Sequence, residues 1–359
     1  MKSRLPLQGV RVVDFTTLLP GPLATLMLGE AGAEVVKIER PGGDDMRRLG
    51  ARLPSGKSVL FEALNRNKRI VEMDLRDPGG VRQARELVTR ADVVVEQSRP
   101  GVMARLGLGY SDMKALNPRL IYCSITGYGQ SGPRSQDAGH DLNYVADAGL
   151  LANVAGCAGE PVLPPTLIAD IGGGTLPATL NILLALRQRD MTGEGCHIDI
   201  SMSECVLLFQ PFAYADVVAH GRPGSPGCGL LTGGSPRYRL YRAADDRWLA
   251  VGALEEKFWR NFCDVIRLPE GLRDDTADPA STTMAVQKLI GEHSSAEWLR
   301  RFAGRDACVS LVRSFDEVMR APEFGLPGLS LAGLDADSQD AACALPLPLS
   351  PAFRRPAHR

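Results

Sequence analysis

The chain has 359 residues, a length that suggests two domains or one large domain with an additional segment. It is 44% hydrophobic and 23% charged, which excludes a disordered chain and a disulfide-stapled mini-protein. The 41 Lys and Arg residues nearly balance 42 Asp and Glu residues, leaving a net charge of −1, and no basic stripe is visible. We therefore expect no nucleic-acid partner.

The first half of the chain alternates between strand-like and helix-like segments. Short apolar or alternating runs predict strands at residues 10–15, 34–39, 69–75, 92–96, 120–125 and 196–202. Between them, the sequence predicts helices at residues 23–28, 77–90, 141–156 and 176–189. This alternation predicts a mostly parallel α/β sheet with helices on both faces.

The pattern changes after a helix that ends near His220 and a linker rich in Gly and Pro, residues 221–236. Segments 237–242 and 247–252, joined at Asp245-Asp246, predict an antiparallel hairpin, and two or three helices follow up to about Phe302. We expect a large α/β domain over residues 1–200, a linker over 201–236, a small α+β domain over 237–315 and a C-terminal segment over 316–359 that returns to the large domain.

The eight cysteines occur singly, without a CxxC pair or zinc-ligand spacing to a histidine. They are expected to be buried free thiols in a reducing compartment, and no metal site is predicted. The apolar stretch near the N-terminus is interrupted by Asp14 and Pro20-Gly21-Pro22, unlike a signal peptide, and no run of about 18 apolar residues is present. We expect a cytoplasmic protein without membrane association.

A dinucleotide-binding function is one alternative for such a sheet. Glu39 ends the second predicted strand, where those folds place an acid that binds the ribose. However, the turn after the first strand contains no GxGxxG, so its backbone could not approach a pyrophosphate closely. The sequence therefore disfavours a nicotinamide cofactor.

One of the five histidines stands in a context typical of a functional site. His140 lies in the tripeptide Gly139-His140-Asp141, after a loop that follows a predicted strand, and such loops carry the sites of α/β proteins. The other four are best interpreted as structural or solvated residues: His197, His220, His293 and His358.

Asp170 is the second candidate. It follows the apolar residues 167–169 and precedes the glycine run 172–174. Such surroundings favour a partly desolvated carboxylate with a raised pKa, suited to a general base, and nearby backbone N–H groups could stabilise an oxyanion. A helix N-cap is the alternative role for this aspartate.

The chain resembles the α-methylacyl-CoA racemases, a branch of the family III CoA-transferase superfamily. The resemblance extends from about Leu7 to about residue 320. The discriminating segment is AGHDLNY at 138–144, because the racemase branch has Gly-His-Asp there and transferases typically lack that histidine. The other similar segments include GVRVVDF from residue 9, GAEVVKIERPGG at 32–43, NRNKRIVEMDL at 65–75, RPGVMARLGLGY at 99–110, NPRLIYCSITGYGQSGP at 117–133, LIADIGGG at 167–174, GGSPRYRLY at 233–241 and VGALEEKF at 251–258.

The resemblance implies the roles of individual residues. His140 and Asp170, 30 positions apart, match the two catalytic bases, and Glu255 matches a glutamate that supports the histidine. The phosphates and adenine of CoA, and the thioester end of the substrate, would be bound by Arg40, Met73, Asp74, Leu75, Arg76, Arg99, Gly139, Asp141, Asn143 and Tyr144. CoA is then part of the substrate, and no separate cofactor is expected.

The resemblance also implies the fold and the assembly. We expect a large, Rossmann-like parallel-sheet domain with a smaller α+β domain, the family III CoA-transferase fold, in an interlocked homodimer. Glu255 would then serve His140 of the partner subunit. Relatives usually end in an acidic helix, whereas this sequence has the Pro-rich residues 351–359 at that place, so we expect a shortened closing segment.

The expected activity is racemisation at the α-carbon of 2-methyl-branched acyl-CoA thioesters. A CoA transferase, in which Asp170 is a nucleophile that forms an acyl anhydride and then an aspartyl-CoA thioester, is the main alternative. A catalytically inactive CoA-binding protein is a third. His140 favours the racemase, because a transferase has no evident need for a second base.

Overall fold

The computed structural model describes residues 5–154, 160–321 and 345–355. Cys157, Cys343 and His358 lie outside these residues. The described chain divides into two units: residues 5–150, 164–209 and 345–355 form the first, and residues 151–154, 160–163 and 210–321 form the second. The expected domain boundaries stay a prediction.

The first unit is built on a six-stranded sheet in which all neighbouring strands are parallel, in the order β3-β2-β1-β4-β5-β6. Every strand expected from the sequence is present, with ends that differ by at most three residues. The central strands β4 and β5 are buried along their whole length, because helices cover both faces of a parallel sheet. The strands are β1 (Arg11–Asp14), β2 (Glu34–Glu39), β3 (Arg69–Glu72), β4 (Val93–Glu96), β5 (Ile121–Thr126) and β6 (His197–Ser201).

The helices of this unit begin at sequence features that favour helix starts. Helix α1 has Pro20 and Pro22 in its first turn, and the Asp77 carboxylate accepts the Gly80 N–H at the start of α3. The helices are α1 (Pro20–Glu30), α2 (Val59–Asn65), α3 (Pro78–Thr89), α4 (Val102–Arg105), α5 (Tyr110–Leu116), α6 (Asp141–Asp147), α7 (Leu176–Thr192) and α8 (Met202–Cys205). Helices α2, α4 and α5 were not predicted.

Two local expectations were wrong. The helix expected over residues 141–156 ends at Asp147, because the chain turns at Gly149, which has a φ of +76° that favours glycine. The cysteines are free within the described residues, but only Cys123 and Cys263 are buried, whereas Cys228 and Cys308 are exposed.

The segment 345–355 packs on the first unit. Leu345, Leu347 and Leu349 contact the apolar cluster that contains Leu26 and Phe61. The Arg355 N–H donates to the Glu30 carbonyl at 2.9 Å, at the end of α1. This segment therefore covers α1 and α2.

The second unit has a three-stranded antiparallel sheet and a helical layer. The expected hairpin pairs Tyr238–Arg242 with Trp248–Gly252, and a third strand that was not predicted pairs with the latter. Its core contains the stacked rings of Trp259, Phe262 and Phe302. The elements are α9 (Pro211–His220), β7 (Tyr238–Arg242), β8 (Trp248–Gly252), α10 (Glu256–Ile266), α11 (Pro279–Ile290), α12 (Ser295–Phe302), β9 (Val309–Leu311) and α13 (Phe315–Arg320).

One stretch of helix has the length and composition of a membrane span. Residues Ile168–Thr192 form 25 continuous helical residues, and an 18-residue window within them has a mean hydropathy of 1.3. Core helices of globular proteins share this composition, so the stretch is weak evidence for a membrane. The expectation of no membrane association stays a prediction.

Candidate active site

The predicted site residues of the first unit follow the carboxyl ends of its parallel strands. The strand order reverses between β1 and β4, and ligands of open α/β sheets bind beyond the carboxyl ends near such a point. Arg40 directly follows β2, and residues 73–76 directly follow β3. The Met73 N–H donates to the Glu39 carbonyl at 2.7 Å, so these two segments are neighbours.

The proposed CoA-binding residues beside β2 and β3 combine a buried apolar side chain with exposed charged ones. Met73 is buried in the sheet core, while the Arg40 and Arg76 side chains are 62% and 85% exposed. Arg40 pairs with Asp45 at 2.8 Å, and Arg76 pairs with Asp74 at 3.0 Å. Exposed pairs of this kind are weak, so both guanidinium groups can turn to a phosphate.

His140 stands at the N-terminus of α6. It is the N-cap residue, its backbone N–H donates to Asn143 Oδ1 at 3.0 Å, and its side chain is exposed. The buried Tyr144 donates its hydroxyl to the Gly139 carbonyl at 2.6 Å. Gly139 is required there, since an added Cβ would lie 2.6 Å from the Tyr144 ring. These contacts hold the backbone on both sides of the imidazole.

Asp170 lies within a π-helical segment, Ile168–Thr175, that leads into α7. It is therefore not the N-cap, and that alternative is wrong. Its backbone N–H donates to Oδ1 of Asp141 at 2.9 Å. Because Asp141 directly follows His140, this bond holds the start of α6 against the start of the π-helical segment. Burial, with a smaller effect of the Asp141 charge, raises the pKa of Asp170 to about 6, and His140 acts in the opposite direction. π-Helical turns are frequent at functional sites.

The glycine run after Asp170 has a packing explanation. An added Cβ at Gly173 would lie 2.5 Å from the Met202 carbonyl oxygen, and one at Gly174 would lie 3.1 Å from Pro20. Thr175 donates its hydroxyl to the Pro20 carbonyl at 2.8 Å. The small residues thus let the π-helical segment lie directly against α1 and α8. Stabilisation of an enolate by their amides stays a prediction.

Arg99 and Glu255 occupy different units. Arg99 follows β4, is exposed, and acts electrostatically on Tyr144, opposing the rise that burial causes in the pKa of that phenol. Glu255 is an exposed residue of the second unit, at the start of α10. The structure therefore brings together His140, Asp141, Tyr144 and Asp170, with Arg99 near them. The role of Glu255 stays a prediction.

A buried ionic cluster that was not predicted lies near the carboxyl ends of β1 and β2. Lys37 lies 3.0 Å from Asp44 and donates to the Thr16 carbonyl at 2.7 Å. Lys68 lies 3.1 Å from Asp14 and donates to the Pro22 carbonyl at 2.8 Å. Lys37 therefore binds the loop after β1, and Lys68 binds the first turn of α1. The sequence did contain a signal for this cluster, since Asp14 and Lys37 are charged residues within otherwise apolar strands. A charge that is buried in a strand is expected to have a partner of opposite charge.

The described ranges 5–154, 160–321 and 345–355 contain no cluster of candidate metal ligands. No three His, Cys, Asp or Glu side chains there are grouped so that they could hold a metal ion. The candidate site contains instead one imidazole, one carboxylate of raised pKa and the carboxylate of Asp141.

Comparison with known proteins decides the family. The CoA-transferase family III model matches residues 7–356. The chain belongs to CoA-transferase family III. Its relatives in this family include the human alpha-methylacyl-CoA racemase, 34% identical over 98% of this chain and 90% of that protein, and the mouse succinyl-CoA:glutarate CoA-transferase, 36% identical over 88% of this chain and 74% of that protein.

The family assignment confirms the fold class. A CAIB/BAIF family protein from Brucella suis has a crystal structure that matches with a TM-score of 0.79, 27% identity, and coverage of 91% of this chain and 89% of that chain. The chain is thus an enzyme of the family III CoA-transferase and racemase type. Because racemases and transferases match at similar identity, the comparisons do not distinguish the two reactions.

Proposed function

We propose that this family III enzyme racemises the α-carbon of 2-methyl-branched acyl-CoA thioesters. The observation that carries the proposal is the bond between Asp141, the residue after His140, and the Asp170 backbone. It places an imidazole and a carboxylate of raised pKa on two chain segments that meet at one point. Two bases at one carbon are what inversion by proton transfer requires.

The proposed reaction has two proton transfers and no other covalent change. With one enantiomer, neutral His140 removes the α-proton, the electrons of the C–H bond move into the thioester as an enolate, and protonated Asp170 delivers a proton to the opposite face. With the other enantiomer, Asp170 removes the proton and protonated His140 returns one. A pKa of about 6 lets Asp170 serve in both protonation states near neutral pH.

The remaining predicted residues would bind the substrate and complete the site. Arg40, Arg76 and Arg99 supply cations for the CoA phosphates, and Met73 supplies an apolar wall. We expect Glu255 to support the histidine of the partner subunit, as the resemblance implies. Nothing in this scheme needs a cofactor beyond the CoA that the substrate carries.

A CoA transferase is the second candidate, because transferases are among the relatives at similar identity. In that reaction the Asp170 carboxylate attacks the acyl-CoA thioester, an acyl anhydride forms and CoA leaves as the thiolate. The thiolate then attacks the aspartyl carbonyl, which releases the first acid and leaves an aspartyl-CoA thioester. A new carboxylate takes up the CoA through a second anhydride. His140 has no assigned role there.

The experiment that separates these functions uses one enantiomer of a 2-methylacyl-CoA in D2O, with and without an added carboxylic acid. The racemase predicts deuterium at the α-carbon and the opposite enantiomer without any acceptor. It also predicts loss of net racemisation in both His140→Ala and Asp170→Ala. CoA transfer to the added acid without α-exchange, lost in Asp170→Ala and retained in His140→Ala, would overturn the proposal in favour of the transferase.

A second copy of the chain is the partner that we propose. Leu180, Leu184 and Met191 on α7 are 58%, 59% and 71% exposed, an apolar surface that a soluble monomer rarely presents. The resemblance implies a homodimer, and we propose that the second copy covers this face. Sedimentation equilibrium at micromolar concentration is expected to give twice the mass of one chain. A monomer that floats with lipid vesicles would contradict the dimer.

A further inference from the structure

The carboxylate of Asp141 has an unusual position for a residue expected to contact substrate. Asp141 is the first residue of α6, is only 8% exposed, and takes part in no ion pair within the described residues. Its Oδ1 accepts the backbone N–H of Asp170 at 2.9 Å. The buried carboxylate is thus directed at the backbone of the other catalytic segment.

Helix geometry explains why this bond matters. The first N–H groups of a helix have no acceptor within it, and a side-chain oxygen usually satisfies them. Asp170 lies in the first turn of the π-helical segment, and the next amide, that of Ile171, already bonds to the Leu167 carbonyl at 3.0 Å. Asp141 therefore caps this segment from another part of the chain. A bond to a carboxylate is about twice as strong as one between neutral groups.

The bond joins the two candidate bases through a short path. His140 and Asp141 are consecutive, and one hydrogen bond leads from Asp141 to the backbone of Asp170. We propose that Asp141 is a positioning residue, which holds Asp170 at a fixed place relative to His140. The negative charge of Asp141 adds an electrostatic effect on the Asp170 carboxylate. This inference rests on the proposed two-base function and names a residue on which that function depends.

The titratable groups around Asp170 support an electrostatic effect of Asp141 on its carboxylate. His140, Asp141 and Tyr144 on α6 are the titratable groups that interact electrostatically with its carboxylate, and Glu204 lies on α8, which packs against the same segment. Burial has the largest effect on the pKa of Asp170, and Asp141 has the next largest. A neutral residue at 141 would remove the second effect and lower that pKa.

Two substitutions separate the bond from the charge. Asp141→Asn retains a side-chain oxygen as the acceptor and removes the charge, whereas Asp141→Ala removes both. Asp137→Asn is the matched control, because Asp137 is an exposed carboxylate three residues before His140 that pairs with Arg134. Circular dichroism would first establish that all three variants are folded.

Amide hydrogen exchange of residues 168–175, followed by mass spectrometry, tests the positioning role without any substrate. Asp141→Ala is expected to accelerate exchange at the Asp170 amide at least about tenfold, while Asp141→Asn and the control stay near the wild type. An unchanged rate in Asp141→Ala would overturn the inference. This result does not depend on which reaction the enzyme catalyses.

The pH dependence of the rate tests the electrostatic role. It is measured with whichever reaction the wild type performs, either α-deuterium exchange of the enantiomer whose α-proton Asp170 removes or CoA transfer, since both of these need ionised Asp170. Asp141→Asn is expected to move the acidic limb of the pH–rate profile down by up to about one pH unit. Asp141→Ala is expected to lower kcat with little change in KM.

If the acidic limb of the pH–rate profile of Asp141→Asn coincides with that of the wild type, the electrostatic role of Asp141 is refuted. An Asp141→Ala variant that changes only KM would show a substrate contact instead of a positioning role. Absence of α-exchange in the wild type would refute the proposed racemase, and the amide exchange would still decide the role of Asp141.

Discussion

The ammonium group of Lys68 lies 3.1 Å from the Asp14 carboxylate, with both side chains almost fully buried. Burial tends to raise the pKa of Asp14, but Lys68 and Lys37, together with the hydroxyls of Thr16 and Thr25, lower it to about 2. The pair joins the end of β1 to the first turn of α1, since Lys68 also binds the Pro22 carbonyl. The edge of the sheet that carries the site thus rests on buried charges that must remain paired.

Lys68→Met is expected to destabilise the protein by about 3 kcal/mol or more, because it leaves the Asp14 charge buried without its main partner. Urea unfolding at neutral pH and fixed protein concentration measures the change. Lys57→Met is the matched control, since Lys57 is 56% exposed and 3.7 Å from Glu62, and we expect almost no effect. The double variant, Asp14→Asn with Lys68→Met, should lose less stability than Lys68→Met alone. Equal losses would contradict this account.

Asp170→Asn is expected to abolish turnover and to stabilise the fold at pH 8 by about 2 kcal/mol. The folded-state pKa of Asp170, about 6, lies above its unfolded value of 3.8, so ionisation destabilises the folded protein as pH rises through 6. The stability that Asp170→Asn gains over the wild type should therefore be complete above about pH 6 and should vanish below about pH 4. Urea unfolding between pH 3.5 and 8 tests this. A pH-independent difference would contradict the raised pKa.

Gly173→Ala is expected to lower the free energy of unfolding by about 2 kcal/mol or more. The new Cβ would lie 2.5 Å from the Met202 carbonyl oxygen, and backbone atoms cannot move aside as a flexible side chain can. Gly271→Ala is the control, because no atom lies within 4 Å of its added Cβ. Similar urea midpoints for the two variants would show that the π-helical segment is not packed as described.

Tyr144→Phe is expected to cost about 1 kcal/mol of stability and to lower the catalytic rate several-fold. It removes the hydroxyl that donates to the Gly139 carbonyl at 2.6 Å and so loosens the backbone before His140. Tyr238→Phe, in the second unit, controls for loss of a phenolic hydroxyl. Thermal unfolding and the initial rate of α-exchange measure both effects. A rate equal to that of the wild type would show that His140 needs no such support.

Arg40→Ala is expected to weaken CoA binding about tenfold and to leave stability almost unchanged. The guanidinium is 62% exposed, and its pair with Asp45 contributes little, whereas a charge-assisted bond to a phosphate contributes more. Isothermal titration with CoA measures the Kd. Arg300→Ala serves as a control, since Arg300 is an exposed residue of the second unit that pairs with Glu297. If the Kd of Arg40→Ala stays within twofold of the wild type, Arg40 does not bind CoA.

Local pattern was sufficient to predict much of the fold. The strand β2 was predicted over the residues that form it, and the hairpin of β7 and β8 was confirmed, because alternation and turn residues are visible within short windows. The strand β9 was missed, since three residues hold too little pattern to distinguish a strand from a loop. The helix over 141–156 was predicted too long because only the backbone shows that Gly149 turns the chain.

The candidate site residues His140 and Asp170 were predicted from the motifs around them and from what the family resemblance implies. Only the tertiary structure decided how they are joined, since Asp141 and Asp170 are 29 residues apart and their bond depends on two segments packing together. The same holds for Lys68 and Asp14, 54 residues apart. Periodicity encodes local conformation, whereas a contact between distant residues and the electrostatic effect of burial arise only when the chain is folded.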